Sequence, residues 1–468
     1  MRLFAFSLAA TALFAPSLAS AAPAPRSDAL LRQVANQVRE AQLRRTVERL
    51  VGFGTRHTLS SQTDPRRGIG ASVRWAEAEL KAHGLVTLQT CDIVTGRRVP
   101  TPTRVCNAVA IQRGTTRPND VVIITGHIDS RVTDVMDFTK DSPGANDDAS
   151  GTAAVLEAAR VLSRRKFAGT IVYGVLSGEE QGLLGGKILA DYAKAQGWNV
   201  VANLNNDIIG NACGSDKTCD PNTVRVFSEG PRWQGREDLA AQQRSLGGEN
   251  DSPSRNLSRF LDTLAERHPE IGLDVRQIWR NDRFGRGGDH TEFLNAGYPA
   301  IRFSVAVENY DHQHQDLRTE NGVEYGDTAD KMDFSYLTKV TRLNVAALAA
   351  LASAPPPPEE PEVTGAVQTF TNVSWRKGQA AGANWIIRWR RTDANQWQQS
   401  KAAIAPACQE GPAEGSECRY RLPGVRVDDW IFGVSSISKD GFESPVASAV
   451  PGGAFKLYVA PPPAPPTR

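Results

Sequence analysis

Val121-Val122-Ile123-Ile124-Thr125-Gly126-His127-Ile128-Asp129 is the stretch on which the reading of this 468-residue chain turns. Its first four residues form a short β-branched apolar run, the pattern of a parallel strand buried on both faces. A second such run, Thr170-Ile171-Val172-Tyr173-Gly174-Val175-Leu176, follows downstream. Between them Val155, Ala158, Ala159 and Leu162 fall on one face of a helix. Strand, helix, strand is the βαβ unit of an α/β sheet. Further strands are expected at 200–204, 224–227, 275–279 and 299–305. Helices are expected at 28–52, 71–83, 183–196, 256–267 and 336–351. The polar stretch 235–255 reads as an insertion loop bordering the site.

The ends of the chain carry different signals. Arg2, an apolar stretch over 3–18 and Ala19-Ser20-Ala21 form the pattern of a signal peptide, 1–21, so the mature protein is expected to be exported, secreted or periplasmic. A short stub (22–27) opens a catalytic unit spanning 22–353. The proline-rich, acidic segment 354–362 reads as an extended linker. Residues 363–455 read as a small all-β sandwich with strands at 383–391 and 430–436, and 456–468 as a disordered tail. No later segment is long and apolar enough to cross a bilayer. A net charge of +2 gives no electrostatic case for nucleic acid. The cysteines fall into local couples, Cys91 with Cys106, Cys213 with Cys219 and Cys408 with Cys418. In an exported chain these are expected to be disulfides.

The chemistry lies at the strand ends, where open α/β sheets place their sites. His127 and Asp129 follow the first strand, and Asp129 is placed to hold the other ring nitrogen of a metal-bound His127. Gly144-Ala145-Asn146-Asp147-Asp148 precedes a helix; capping accounts for one acidic residue, and a carboxylate bridging two cations accounts for the other. Ser177-Gly178-Glu179-Glu180 ends the second strand. Adjacent glutamates there can divide two tasks, holding a metal and taking a proton from water. Asn205-Asn206-Asp207 follows the third strand, and Asn309-Tyr310-Asp311-His312-Gln313-His314-Gln315-Asp316 the last.

In this order and with these local motifs, residues 45–353 resemble the co-catalytic zinc aminopeptidases of the bacterial leucyl aminopeptidase and aminopeptidase Y type. The resemblance implies a mixed, mostly parallel eight-stranded sheet between helices, two zinc ions per chain, and peptide substrates with a free N-terminus. It implies that His127 and Asp207 bind one zinc, Glu180 and His312 the other, and that Asp147 bridges them. Glu179 would be the general base, Asp148 would follow across a strained peptide bond, and Tyr310 would help an oxyanion. The spacing His312 to Asp316 selects His312 over its neighbour His314. Asp289-His290-Thr291-Glu292-Phe293 resembles a segment near the family's substrate pocket, with no role assigned. Trp375, Trp385, Trp389, Tyr420 and the run 428–436 resemble a fibronectin type III module. Its tryptophans are expected in the core, and its outer surface is a candidate for binding a surface or polymer.

Other readings compete. A serine hydrolase lacks its Gly-x-Ser-x-Gly elbow. A related zinc carboxypeptidase would need a basic clamp, for which Arg283, Arg286 and Arg302 are candidates. A glutaminyl cyclotransferase with one zinc, and an exported binding protein with an inert site, complete the set. Cobalt or manganese can replace zinc in such donor sets.

Overall fold

The computed structural model describes residues 26–232, 237–378, 383–403 and 417–450. The expected signal peptide, most of the stub, the tail and Cys408 lie outside them. The chain opens with helices α1 (Arg26–Ala35), α2 (Glu40–Val51) and α3 (Ile69–Ala82), then a long hairpin, β1 (Val86–Gly96) and β2 (Val99–Gln112). There follow β3 (Arg117–His127), α4 (Ala149–Leu162), β4 (Gly169–Leu176), α5 (Leu184–Ala195), β5 (Asn199–Asn206) and β6 (Thr223–Ser228). Next come α6 (Glu237–Leu246), α7 (Pro253–Arg267), β7 (Asp274–Ile278), α8 (His290–Asn295) and β8 (Ala300–Val305). A two-stranded ribbon, β9 (Arg318–Glu320) and β10 (Val323–Tyr325), precedes α9 (Phe334–Ser353).

The main sheet has the order β1-β2-β4-β3-β5-β8-β6-β7. Its centre is parallel: β3 lies between β4 and β5, and β5 pairs with β8. Antiparallel β2 and β6 flank this block. The sheet is thus mixed, as expected, and the parallel strands bring their carboxyl ends to one edge. Helices cover both faces. The α2, α4 and α9 side forms the larger core, with Leu43, Val155, Leu337 and Leu348 buried against Val122, Ile124 and Tyr173. On the other side Leu189 of α5 and Phe293 of α8 pack against Val121, Ile123 and Val172.

Glycines draw three elements together at the functional edge. A methyl group on Gly126 would sit 2.4 Å from the Gly151 carbonyl carbon, and one on Gly151 would sit 2.3 Å from the Asn206 oxygen. Thus β3, the start of α4 and the end of β5 meet backbone to backbone.

Several sequence expectations need correction. The helix expected at 28–52 is two helices, and at the break the backbone N–H of Arg39 meets Glu157 of α4 at 2.7 Å. The expected loop 235–255 contains α6 and the start of α7. The hairpin β1–β2 went unread because most of β1 is exposed or half-exposed, which blurs its alternation. Cys91 and Cys106 lie opposite each other on it and are disulfide-bonded, as are Cys213 and Cys219. The third expected couple includes Cys408, outside the described residues.

The C-terminal part begins inside the expected linker: Glu359 and Glu360 already belong to β11 (Glu359–Thr364), whose partner strand β12 (Phe370–Arg376) recruits them. With β13 (Asn384–Arg391), β14 (Gln399–Ala403), β15 (Glu417–Pro423), β16 (Trp430–Ile437) and β17 (Ala447–Ser448) they form two sheets, β11-β12-β15 and β14-β13-β16-β17. Trp375 and Trp385 fill the core between them, ring centroids 5.9 Å apart, with Trp389 and Tyr420 packed alongside.

This all-β unit is docked on the first. Arg390 on β13 bonds Asp251 at 2.7 Å, and Ser448 links Asp251 to Asn256 of α7. Gln396 reaches Asp262 at 2.7 Å. Arg390 and Asp251 are almost fully buried, so removing Arg390 leaves the Asp251 charge with only Ser448 and the more distant Arg259 at 4.0 Å. Arg390→Leu is expected to lower unfolding stability by about 3–5 kcal/mol. Thermal or urea melting checks this, and a stability within experimental error of the parent would show that the pair does not hold the interface.

Candidate metal centre

Two donor groups converge at the carboxyl edge of the sheet: His127, Asp147 and Asp207, and Asp147, Glu180 and His314. In each group the ligand-type atoms lie within 4.8 Å of one another. His127 ends β3, Glu180 follows β4 and Asp207 follows β5, so the parallel register delivers them to one place. Asp147 belongs to both groups and faces each with a different oxygen. Its Oδ1 is 3.2 Å from His127 Nε2, and its Oδ2 is 2.8 Å from His314 Nε2. Asp207 Oδ1 lies 3.9 Å from His127 Nε2, and Glu180 Oε1 3.0 Å from His314 Nε2.

These residues fit a metal on chemical grounds. His127 Nε2 and Glu180 Oε1 are buried without a hydrogen-bond partner, so their contacts to neighbours are close but not aligned as bonds. Three buried carboxylates pressed together need positive charge. The donor set of imidazole and carboxylate, without sulfur, suits zinc and also cobalt or manganese.

The surroundings hold each donor. Asp129 is fully buried and accepts the backbone N–H of Glu179 at 3.2 Å and of Glu180 at 3.1 Å. The His127 Nδ1 partner is the Asp129 backbone carbonyl at 3.1 Å, with the carboxylate at 3.5 Å. Asp148 turns away from the donors. It caps α4 through Gly151 N–H at 2.8 Å and accepts the His127 N–H at 3.0 Å. The peptide bond between Asp147 and Asp148 is cis.

Four further residues escaped the sequence reading of the centre. Asp327 accepts the N–H groups of Asn146 and Asp147, fixing the bridging loop. Burial raises its pKa to about 7. Arg56, wholly buried, donates to the carbonyls of Ile128, Pro143 and Gly144 and so ties that loop to β3. Arg131 donates to Glu180 Oε2 at 2.9 Å and lies 2.5 Å from His314 Nδ1. Gln313 donates to Asp147 Oδ2 at 3.1 Å. The only local signal was that Arg131 follows Asp129 by two residues.

His312 stands outside both groups, and His314 occupies the expected place. His314 has a φ of 56°, in the left-handed region, at the end of a tight turn. That turn carries its ring inward while His312 stays half-buried near Lys331. Asp316, expected behind the last histidine, pairs with Lys140 at 3.3 Å. Tyr310 is 60% exposed on the wall of a neighbouring cleft. Arg302 is fully buried between Asp207 (2.8 Å) and Asp282 (3.0 Å), which removes it as a clamp for substrate. Asp289 is buried and accepts the Gly186 N–H at 3.0 Å, joining α8 to α5.

The electrostatics are those of a crowded negative site. Burial, reinforced by Asp207, Glu180 and Asp289, pushes the Glu179 carboxyl well above its ordinary range, against the pull of His127. Burial raises Asp207 to about 6 although Arg302 opposes it. Burial alone would lower the histidines. Glu180 and Asp147 instead lift His314 to about 9, and Asp129 and Asp147 hold His127 well above the usual histidine value.

Among known proteins, the family described as peptidase family M28 matches residues 107–349. A probable zinc metalloprotease of Leptosphaeria maculans is 40% identical over 439 residues, covering 92% of this chain and 98% of that protein. Another, of Pyricularia oryzae, is 40% identical over 440 residues, covering 91% and 85%. Among solved structures, the LapA aminopeptidase of Legionella pneumophila superposes with a TM-score of 0.50 at 18% identity, covering 75% of this chain and 77% of that one, a likeness of fold.

The placement of the two histidines is open to a direct check. His314→Ala is expected to lose zinc on dialysis against zinc-buffered solution, while His312→Ala retains the parent's content by elemental analysis. Equal retention in both variants would remove His314 from the centre.

Proposed function

The chain belongs to peptidase family M28, and we propose that it is an aminopeptidase that hydrolyses the first peptide bond of substrates with a free N-terminus by means of two zinc ions. The observation that carries this reading is Asp147, whose two oxygens each face a separate donor group. His127, Asp147 and Asp207 would hold one ion, and Asp147, Glu180 and His314 the other. Zinc, when bound, supplies the charge that polarises the scissile carbonyl and acidifies water.

Glu179 is the residue this reading takes as the base. Its backbone is anchored on Asp129, and its carboxyl stands beside the donors with a raised pKa. It would take the proton from the attacking water and return it to the leaving amine. The substrate's free α-amine would be received at this donor end of the site. The reading includes export, on the strength of the leader-like first residues and the two disulfides. Among the described residues no helix is long and apolar enough to cross a membrane. The C-terminal sandwich is read as fibronectin type III-like.

Release of the first residue from a tripeptide, but not from its N-acetylated twin, is expected, abolished by chelator and restored by zinc. Cleavage of both twins would overturn the aminopeptidase reading. Glu179→Gln should keep its zinc and lose about 10²–10⁴-fold in kcat; near-parental turnover would remove Glu179 as base.

The raised pKa values also set a pH dependence. In the metal-free protein, the histidine contribution to stability is full below about pH 6.5 and is lost as pH rises through the His314 value of about 9. Asp207, raised to about 6, has the same sign at lower pH. Zinc displaces these protons, so its stabilising effect grows with pH. Melting with zinc and with chelator, at about pH 5 and about pH 7.5, should show the larger zinc-induced gain at the higher pH; an equal or smaller gain there would contradict the assignment.

A further inference from the structure

A cleft of about 600 Å³ has a cationic lining: Arg225, Arg280, Arg283 and Arg286 share it with Glu308. Glu308 is buried and takes three of the four, Arg225 at 2.7 Å, Arg286 at 3.0 Å and Arg283 at 3.4 Å. One carboxylate therefore gathers three guanidinium groups and balances only one of them. Arg283 also meets Asp282 at 3.0 Å, but Asp282 is already held by the buried Arg302. The surplus positive charge stays at the surface, where the Arg286 side chain is 33% exposed.

The cleft is tied to the metal centre by charge: Arg286 feels Asp147 and Asp207, and a relay of ion pairs joins the two. Asp207 bonds Arg302, Arg302 bonds Asp282, Asp282 bonds Arg283, and Arg283 reaches Glu308. Aromatic rings stand at its mouth: Phe284 is 88% exposed with Arg280 over its ring, and Tyr310 is 60% exposed. Exposed aromatics beside arginines are the composition of a contact surface. A peptide held by its amine end at the donors would carry its next carboxylate toward this positive cleft. Arginine forks bind carboxylates through paired, charge-assisted hydrogen bonds.

We propose that this arginine cleft is the specificity site for a carboxylate on the leaving-group side of the scissile bond, either an acidic side chain or the free C-terminus of a short peptide. The assignment rests on the aminopeptidase reading. Glu308 positions the arginines, and Arg286 and Arg280 supply the exposed donors.

The test uses the zinc-loaded full chain and four peptides: Leu-Ala-Ala, its C-terminal amide, Leu-Asp-Ala-amide and Leu-Asn-Ala-amide, each with an N-acetylated twin. The acid-over-amide ratio, the Asp-over-Asn ratio, or both should favour the carboxylate by about tenfold in kcat/KM, the size of one charge-assisted hydrogen bond. A first-ratio effect identifies the C-terminus, a second-ratio effect the side chain, and each supports the cleft. The preference should reside in KM, shrink as salt is raised, and fall toward unity in Arg286→Gln. The exposed Arg280→Gln provides a second variant with little risk to folding, and Arg286→Lys should recover part of the preference. Ratios near one in the parent, or ratios unchanged in both glutamine variants, overturn the proposal while leaving cleavage of free-amine peptides intact. Cleavage of the acetylated twins instead defeats the aminopeptidase reading beneath it.

Discussion

The structure depends on holding several carboxylates together out of water. Asp147, Asp207 and Glu180 are all nearly buried, with Glu179 half-buried beside them, and like charges so placed repel strongly. The fold meets this with fixed donors rather than with flexibility. Arg131 takes Glu180 Oε2 and leaves Oε1 turned inward, while Arg302 and Gln313 approach the same oxygens of Asp207 and Asp147 that face the histidines. Those inward atoms are what make a cation the natural occupant.

Much of the rest follows from bringing those groups within reach. Parallel β3, β4 and β5 supply three of the corners by register alone. The fourth corner, Asp147, comes from a loop that must be fastened independently, which Asp327 and Arg56 do. The close approach at Gly126 and Gly151 permits no larger residue without moving backbone. Backbone contact, buried ion pair and turn conformation therefore act on the same few atoms.

The sequence made the central strands and strand-end donors legible because both signals are local. Val121–Ile124 and Thr170–Leu176 are too apolar to be anything but buried, and His127, Glu180 and Asp207 sit directly after such runs. What it concealed is set by three-dimensional turns. Whether His312 or His314 points inward depends on one left-handed residue, and no spacing rule reports that. Asp327 and Arg56 are ordinary charged residues until tertiary structure buries them. The hairpin β1–β2 was missed for the opposite reason, since strands half in solvent carry little pattern.

The docking of the sandwich has a mechanical consequence. Arg390 grips Asp251, next to α7, and α7 in turn supports Trp279 through Arg255, whose guanidinium donates to the Trp279 carbonyl at 3.1 Å. Trp279 belongs to the wall of the arginine cleft. The sandwich is thus not a pendant joined by a hinge but a handle fused to the jaw.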